Sequence, residues 1–152
     1  MILFSGYNPV SLDSQKRLAV PSCYRDALQT ESDNSLMVTL GLDAKNRFLE
    51  LYPLPEWQRK LEKISKLPSL HPTTRILQRR VVAHAKPLTI DKSARVLVPQ
   101  ALRELVDIDK EVVLAGVGEK FELWNAEDWN RVRDSELEAI DFTNLPDEFK
   151  DL

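Results

Sequence analysis

The chain carries one stretch of sequence twice. Leu12-Asp13-Ser14-Gln15-Lys16-Arg17-Leu18-Ala19-Val20-Pro21-Ser22-Cys23-Tyr24-Arg25-Asp26-Ala27-Leu28 lies without a gap over Ile90-Asp91-Lys92-Ser93-Ala94-Arg95-Val96-Leu97-Val98-Pro99-Gln100-Ala101-Leu102-Arg103-Glu104-Leu105-Val106. Five pairs are identical: Asp13/Asp91, Arg17/Arg95, Val20/Val98, Pro21/Pro99 and Arg25/Arg103. Leu12/Ile90, Leu18/Val96, Asp26/Glu104 and Leu28/Val106 change like for like. After small gaps, Glu50-Leu51-Tyr52 with Trp57 is answered by Glu122-Leu123-Trp124 with Trp129. Repetition at a fixed interval marks a supersecondary unit that buries its apolar face against a copy of itself. A chain of 152 residues can support such a core without disulfides, because it buries roughly 68–70% of its unfolded surface.

Local patterns give the unit its shape. Leu12, Leu18 and Val20 flank a polar Asp-x-x-x-Arg loop, which predicts two short strands joined by a tight turn. Pro21 and Pro99 suit the first position of a helix, where the missing N–H costs nothing, so short helices are expected over Ser22–Leu28 and Pro99–Val106. Leu36–Leu40 and Glu111–Ala115 read as strands closing at Gly41 and Gly116, with Phe48–Tyr52 and Phe121–Trp124 as returning strands. Trp57, Leu61 and Ile64 form one apolar stripe of a helix opening at Pro55 and ending near Pro68. A second helix is expected from about Thr73 to Ala85 with Ile76, Leu77 and Val81 inward. A third covers Ala126 to Ile140 through Trp129, Val132, Leu137 and Ile140, before a tail that frays. The resulting plan is α+β. It places repeat 1 over 5–52, a helical connector over 53–80, repeat 2 over 81–124, and a C-terminal helix with an acidic tail over 125–152.

The net charge of −3 hides a strong asymmetry. Between Trp57 and Leu88 stand Arg59, Lys60, Lys63, Lys66, Arg75, Arg79, Arg80 and Lys86 against Glu62 alone; from Glu127 onward nine acids face three bases. Charge runs of this kind are ordinarily solvated faces, and they also offer complementary surfaces. No apolar run approaches the eighteen residues of a membrane span. Met1-Ile2-Leu3-Phe4-Ser5-Gly6 is apolar but lacks the basic start and length of a signal peptide. One cysteine and two histidines cannot close a Cys/His zinc site, and the cysteine count points to a reducing cytoplasm. No metal or cofactor is expected.

Catalysis finds little support: no Gly-rich phosphate loop, H-x-x-x-H or G-x-S-x-G is present. Cys23 aligns with Ala101 and is expected to be a small buried residue; His84 lies near Val81 as a satisfied helix histidine; His71, before Pro72, carries no signal. Asp13/Arg17 and Asp91/Arg95 are more informative. Each carboxylate can brace its turn locally, or it can fix the loop so that a guanidinium fork faces outward to meet guanine O6/N7 or a phosphate. Spacing alone leaves both readings open, and recurrence at matching repeat positions favours the second.

On Asp13-x-x-x-Arg17-Leu18-x-Val20-Pro21-x-x-x-Arg25, Asp91-x-x-x-Arg95-Val96-Leu97-Val98-Pro99-x-x-Leu102-Arg103, Leu51-Tyr52-Pro53-x-Pro55-x-Trp57, Lys110–Gly116 and Phe121–Trp124 with Trp129, the chain resembles the MraZ family of bacterial transcriptional regulators. The resemblance covers nearly everything before the acidic tail. It implies a duplicated, swapped-hairpin AbrB-type split β-barrel with flanking helices and subunits joined in a ring-shaped homo-oligomer; the lack of any convergent acid–base or metal set separately predicts no enzymatic activity. It further implies binding to G-rich direct repeats in double-stranded promoter DNA of the division and cell-wall gene cluster, usually as a repressor, in the nucleoid-associated cytoplasm and without a membrane. The DNA-binding residues carried over are Asp13, Lys16, Arg17, Asp91, Lys92 and Arg95. Pro21, Arg25, Pro99, Arg103, Trp57 and Trp129 are carried over as structural. Where the family has glycine before each motif arginine, at a position suited to positive φ, this chain has Lys16 and Ala94; Ser5-Gly6 stands in place of an early Arg-Gly pair. The alternative is an AbrB-like protein-interaction module of the antitoxin type, in which the basic connector and acidic tail are complementary surfaces between subunits or toward a partner.

Overall fold

A computed structural model describes residues 3–152; Met1 and Ile2 of the apolar start lie outside the described residues. In chain order the elements are β1 (Tyr7–Ser11), β2 (Arg17–Ala19), α1 (Ser22–Ser32), β3 (Ser35–Leu40), β4 (Leu49–Pro53), α2 (Leu54–Ser65), and α3 (Pro72–Leu77) continuing into a π turn (Gln78–Val82). The second copy supplies β5 (Lys86–Thr89), β6 (Arg95–Leu97), α4 (Gln100–Leu105), β7 (Glu111–Gly116) and β8 (Phe121–Asn125), and α5 (Ala126–Ser135) follows. Six strands form one antiparallel sheet in the order β1-β7-β8-β4-β3-β5, and β2 pairs with β6 in a separate ribbon. The architecture is mixed α+β, as expected. No helix among the described residues is long and apolar enough to cross a membrane.

Interchanging the two copies maps the strand order onto its own reverse. The pseudo-twofold passes between β4 and β8, where Glu50 faces Glu122, and through the ribbon, where Arg17 faces Leu97 and Arg95 faces Ala19. The expected tight turns form, but the strands on either side of each turn part company. β1 pairs with β7 of the other copy and β5 with β3, so each unit lends an edge strand to its twin. Pro9 in β1 and Pro87 in β5 occupy these two edges. A proline cannot donate to a ladder, so it is tolerated only where its nitrogen side faces no neighbour.

Exchange makes a single core. Leu18 and Val96 are 0% and 1% exposed and pack with Val20, Leu28, Val98, Leu102, Leu114 and other residues of both copies. Fully burying such side chains stabilises by about 1.5–3 kcal/mol each, and neither copy could complete this core alone. A smaller cluster of Tyr52, Trp57, Ile64 and Val81 seats the connector, where the Thr39 hydroxyl donates to the Val81 carbonyl at 2.5 Å. Trp129 packs beside a third cluster of Phe48, Trp124 and Val132.

Several expectations require correction. Pro21 and Pro99 sit one residue before their helices, as caps with ψ of 140° and 135°, rather than at the first helical position. Cys23 is exposed because α1 buries Tyr24, Leu28 and Ser32, a face that leaves position 23 outside. Ile76 is 55% exposed, and buried Thr74 takes its place in a stripe with Leu77 and Val81. The third helix keeps α geometry only to Ser135 and continues as a 3-10 turn over Glu136–Ala139, leaving Leu137 and Ile140 exposed; Glu136 and Glu138 oppose the negative end of the helix dipole there. His71 does carry a role, since its Nδ1 accepts from the Thr73 amide and caps α3. His84 lies just beyond the π turn with Nδ1 donating to the Arg79 and Arg80 carbonyls.

Candidate nucleic-acid interface

The ribbon is three residues long on each strand, and the two-residue period of β-structure sorts its side chains completely. Leu18 and Val96 point into the core. Arg17, Ala19, Arg95 and Leu97 therefore share the opposite face, with the two arginines on one diagonal. Leu97, 57% exposed, is the apolar member of that face. The Lys16 carbonyl accepts from the Val98 amide, and the Ala94 carbonyl from the Val20 amide, tying each turn to the far end of the partner strand.

Both turns are built on an aspartate. Asp13 Oδ1 accepts from the Gln15 and Arg17 amides, each at 2.9 Å. Asp91 Oδ1 accepts from the Ser93 amide at 2.8 Å and the Arg95 amide at 3.0 Å. These are Asx-type closures, in which a short carboxylate substitutes for a backbone acceptor. Lys16 and Ala94 occupy the left-handed region at φ 63° and 58°, a conformation that favours glycine.

The second carboxylate oxygens hold the arginines unequally. Asp13 Oδ2 accepts from Arg17 Nε at 2.9 Å and from Arg95 Nη1 at 3.0 Å. Asp91 Oδ2 stands 3.8 Å from Arg17 Nη1. The Arg17 amide, more than any other group, holds the Asp13 carboxyl below the usual carboxylate range, and the Arg17 guanidinium adds to it against partial desolvation. The two guanidinium groups are thus pinned side by side through one carboxylate, and they remain 33% and 40% exposed. Several N–H donors of each fork have no partner among the described residues. A fork held by one edge with its other donors in solvent is prepared for bidentate contact.

Neighbouring groups complete the surface. Lys16 Nζ reaches Asp109 at 2.6 Å, which lowers the Asp109 carboxyl; Lys92 is exposed. The four cations of the two turns face Asp13, Asp91 and Asp109, so the ribbon's surface is close to neutral per chain. Arg25 and Arg103 turn back instead: their Nε groups donate to the Val20 and Val98 carbonyls at 2.9 and 3.1 Å, bracing the residue that precedes each proline. Trp57 is buried and Trp129 half-buried. Asp109 and Leu97 were not singled out by sequence. Leu97 stands at the repeat position of Ala19, and the β period would have placed it with the arginines.

Comparison with known proteins agrees with the duplication. Residues 3–80 and 81–151 each match the family described as "MraZ protein, putative antitoxin-like". The chain is 38% identical over 152 residues to the protein named transcriptional regulator MraZ of Coxiella burnetii, with 99% of each chain covered. It is 43% identical over 151 residues to that of Pseudomonas aeruginosa and 44% identical over 151 residues to that of Pseudomonas putida, again over 99% of each chain. A family match in both halves, together with relatives similar from end to end, means that the chain belongs to the MraZ family, whose named members are transcriptional regulators.

Proposed function

We propose that the chain is a sequence-specific regulator of transcription that grips double-stranded promoter DNA with the β2–β6 ribbon. The observation that carries this reading is the placement of Arg17 and Arg95 on one outward face, oriented by Asp13. A two-stranded ribbon fits the major groove, and paired guanidinium forks match guanine O6/N7 or adjacent phosphates. Lys92 adds a phosphate contact, and Lys16 does so by exchanging Asp109 for a phosphate. The duplicated unit is a swapped-hairpin, AbrB-type split barrel built from repeats 5–52 and 81–124 around connector 53–80, with no catalytic role.

A near-neutral ribbon binds DNA weakly by itself, on the order of micromolar or poorer at physiological salt. A ring-shaped homo-oligomer solves this by setting ribbons on successive direct repeats, which turns later contacts into intramolecular ones and adds about 10²–10⁴ in affinity. The target on this reading is the promoter of the division and cell-wall gene cluster, repressed from the nucleoid-associated cytoplasm. Footprinting of that promoter, with light-scattering mass measured alongside, tests it. Arg17→Ala or Arg95→Ala should each cost about 1–3 kcal/mol per engaged site; promoter protection that survives loss of both arginines sinks the assignment.

A second reading follows from the family's antitoxin-like description: the same scaffold holding a protein partner. Salt separates the two. Four phosphate contacts per site give a log–log slope near −3.6, by about −0.9 per phosphate, whereas a protein scaffold retains no promoter DNA.

A further inference from the structure

The last seventeen residues, Glu136 to Leu152, are out of keeping with the rest of the chain. None of them is buried, yet Leu137, Ile140, Phe142, Phe149 and Leu152 stand 48–100% exposed. Six acids accompany them against Lys150 alone. Beyond the bond from Asn46 Nδ2 to Glu136, the side-chain hydrogen bonds and ion pairs of this tail run within it, among the described residues, and its backbone joins the body through the Glu136 amide, which donates to the Val132 carbonyl. Large apolar side chains held in water at this density mark an interaction surface.

The opposite character appears at the corner between α2 and α3. Leu67, Leu70 and Ile76 are 40%, 80% and 55% exposed, and Lys63, Lys66, Arg75 and Arg79 are exposed around them. The corner is a defined shape: Arg75 Nη2 donates to the Leu70 carbonyl at 2.8 Å, and His71 caps the following helix. It presents apolar groups framed by cations, and the tail presents apolar groups framed by carboxylates. Matched potentials of this kind set register and speed encounter.

We propose that the acidic tail of one chain docks on the α2–α3 corner of a second copy, and that this contact links neighbouring subunits. Leu137, Ile140 and Phe142 cover Leu67, Leu70 and Ile76, while Glu136, Glu138 and Asp141 meet the surrounding lysines and arginines. The contact joins two different surfaces, and repeated head-to-tail contacts close into a ring when the rotation allows. Seventeen residues approach the 20–30 per side of a standard interface. The inference rests on the homo-oligomer reading above and names the surface that builds it.

Light scattering over a concentration series tests it on the full chain, on a chain ending at Ser135, and on Lys63→Glu/Arg75→Glu/Arg79→Glu. Both variants should lose assembly, with the midpoint concentration raised by about tenfold or more, which corresponds to 1.4 kcal/mol. Adding Glu136→Lys/Glu138→Lys/Asp141→Lys to the corner variant should restore it. Thermal melting of the truncated chain at concentrations below assembly should stay within a few degrees, since no residue of the tail is buried in its own chain, and this separates lost docking from lost folding. A truncated chain that assembles like the full one, or a charge swap that fails to rescue, overturns the docking while leaving the oligomer intact. A full-length chain that is monomeric throughout overturns the oligomer reading itself.

Discussion

The two turns, Asp13–Arg17 and Asp91–Arg95, descend from one pattern and behave differently only where they meet water. Inside, Leu18 and Val96 are equally buried in one core, and each aspartate closes its turn on two amides. Outside, Asp13 binds both arginines and Asp91 stands 3.8 Å from one of them. Lys16 is paired with Asp109, and Ala94, its counterpart, has no side chain to pair. A shared core constrains both copies to the same geometry, because any change of volume on one side is felt by the other. The solvent side carries no such tie and is free to specialise.

The largest test of that symmetry is in the core. Leu18→Ala should cost about 2–5 kcal/mol, with Val96→Ala next because the valine is one carbon shorter and leaves a smaller cavity. Each should lower a single cooperative unfolding transition followed by circular dichroism, since the copies exchange strands. Two separated transitions would show that the halves fold independently. Leu97→Ala, on the outer face of the same ribbon, should change stability by less than about 0.5 kcal/mol.

The turns should part in DNA binding. Asp13→Ala releases both guanidinium groups at once and should weaken promoter affinity by about tenfold or more, a loss of one base-reading contact or greater. Asp91→Ala opens its own turn and removes only the 3.8 Å contact to Arg17, so it should weaken it less. Equal losses in electrophoretic mobility assays would mean that the Arg95–Asp13 bond does not position the arginine. Acid should act in the same direction. Asp13 favours its ionised form in the fold, so its contribution is full above the ordinary carboxylate value near 3.9 and falls away as pH drops below that. Asp13→Asn should remove this part of the acid dependence of folding, while Asp91→Asn should leave it in place.

Much of this was legible from residues. The repeat, the helix–strand order of each copy and the arginine pair follow from the 78-residue interval and from apolar spacing. The partner of each strand does not. Three-residue strands such as Arg17–Ala19 hold no local signal for a mate across the chain, so each turn looks like a closed hairpin. One clue lay outside the aligned window: Pro9 and Pro87 are also 78 residues apart, and a proline at the same place in two strands identifies both as edges. The pairing of two guanidinium groups through Asp13 is likewise tertiary, since it needs the ribbon that brings residue 95 beside residue 13. Helix faces escape simple reading at Ile76 and Cys23 for different reasons: α3 runs into a π turn that shifts the inward stripe to Thr74, Leu77 and Val81, and Cys23 shares the outward position of its repeat counterpart Ala101, which is itself exposed.

The smallest effect tests the turns' remaining difference. Ala94 and Lys16 sit at positive φ, which costs an L residue roughly 1–2 kcal/mol over its normal region. Glycine removes that cost but frees the unfolded chain by about 0.4–1 kcal/mol. Ala94→Gly should therefore stabilise by about 0.5–1 kcal/mol, raising the melting temperature by about 1–4 °C. Lys16→Gly gains the same relief but gives up the pair with Asp109, so it should gain less. Calorimetry on the two variants decides the matter. If Lys16→Gly gains as much as Ala94→Gly, the Asp109 pair adds nothing to the fold and Lys16 is free to meet a phosphate. If Ala94→Gly instead destabilises, the turn is not strained at that residue, and the aspartate closure alone sets its shape.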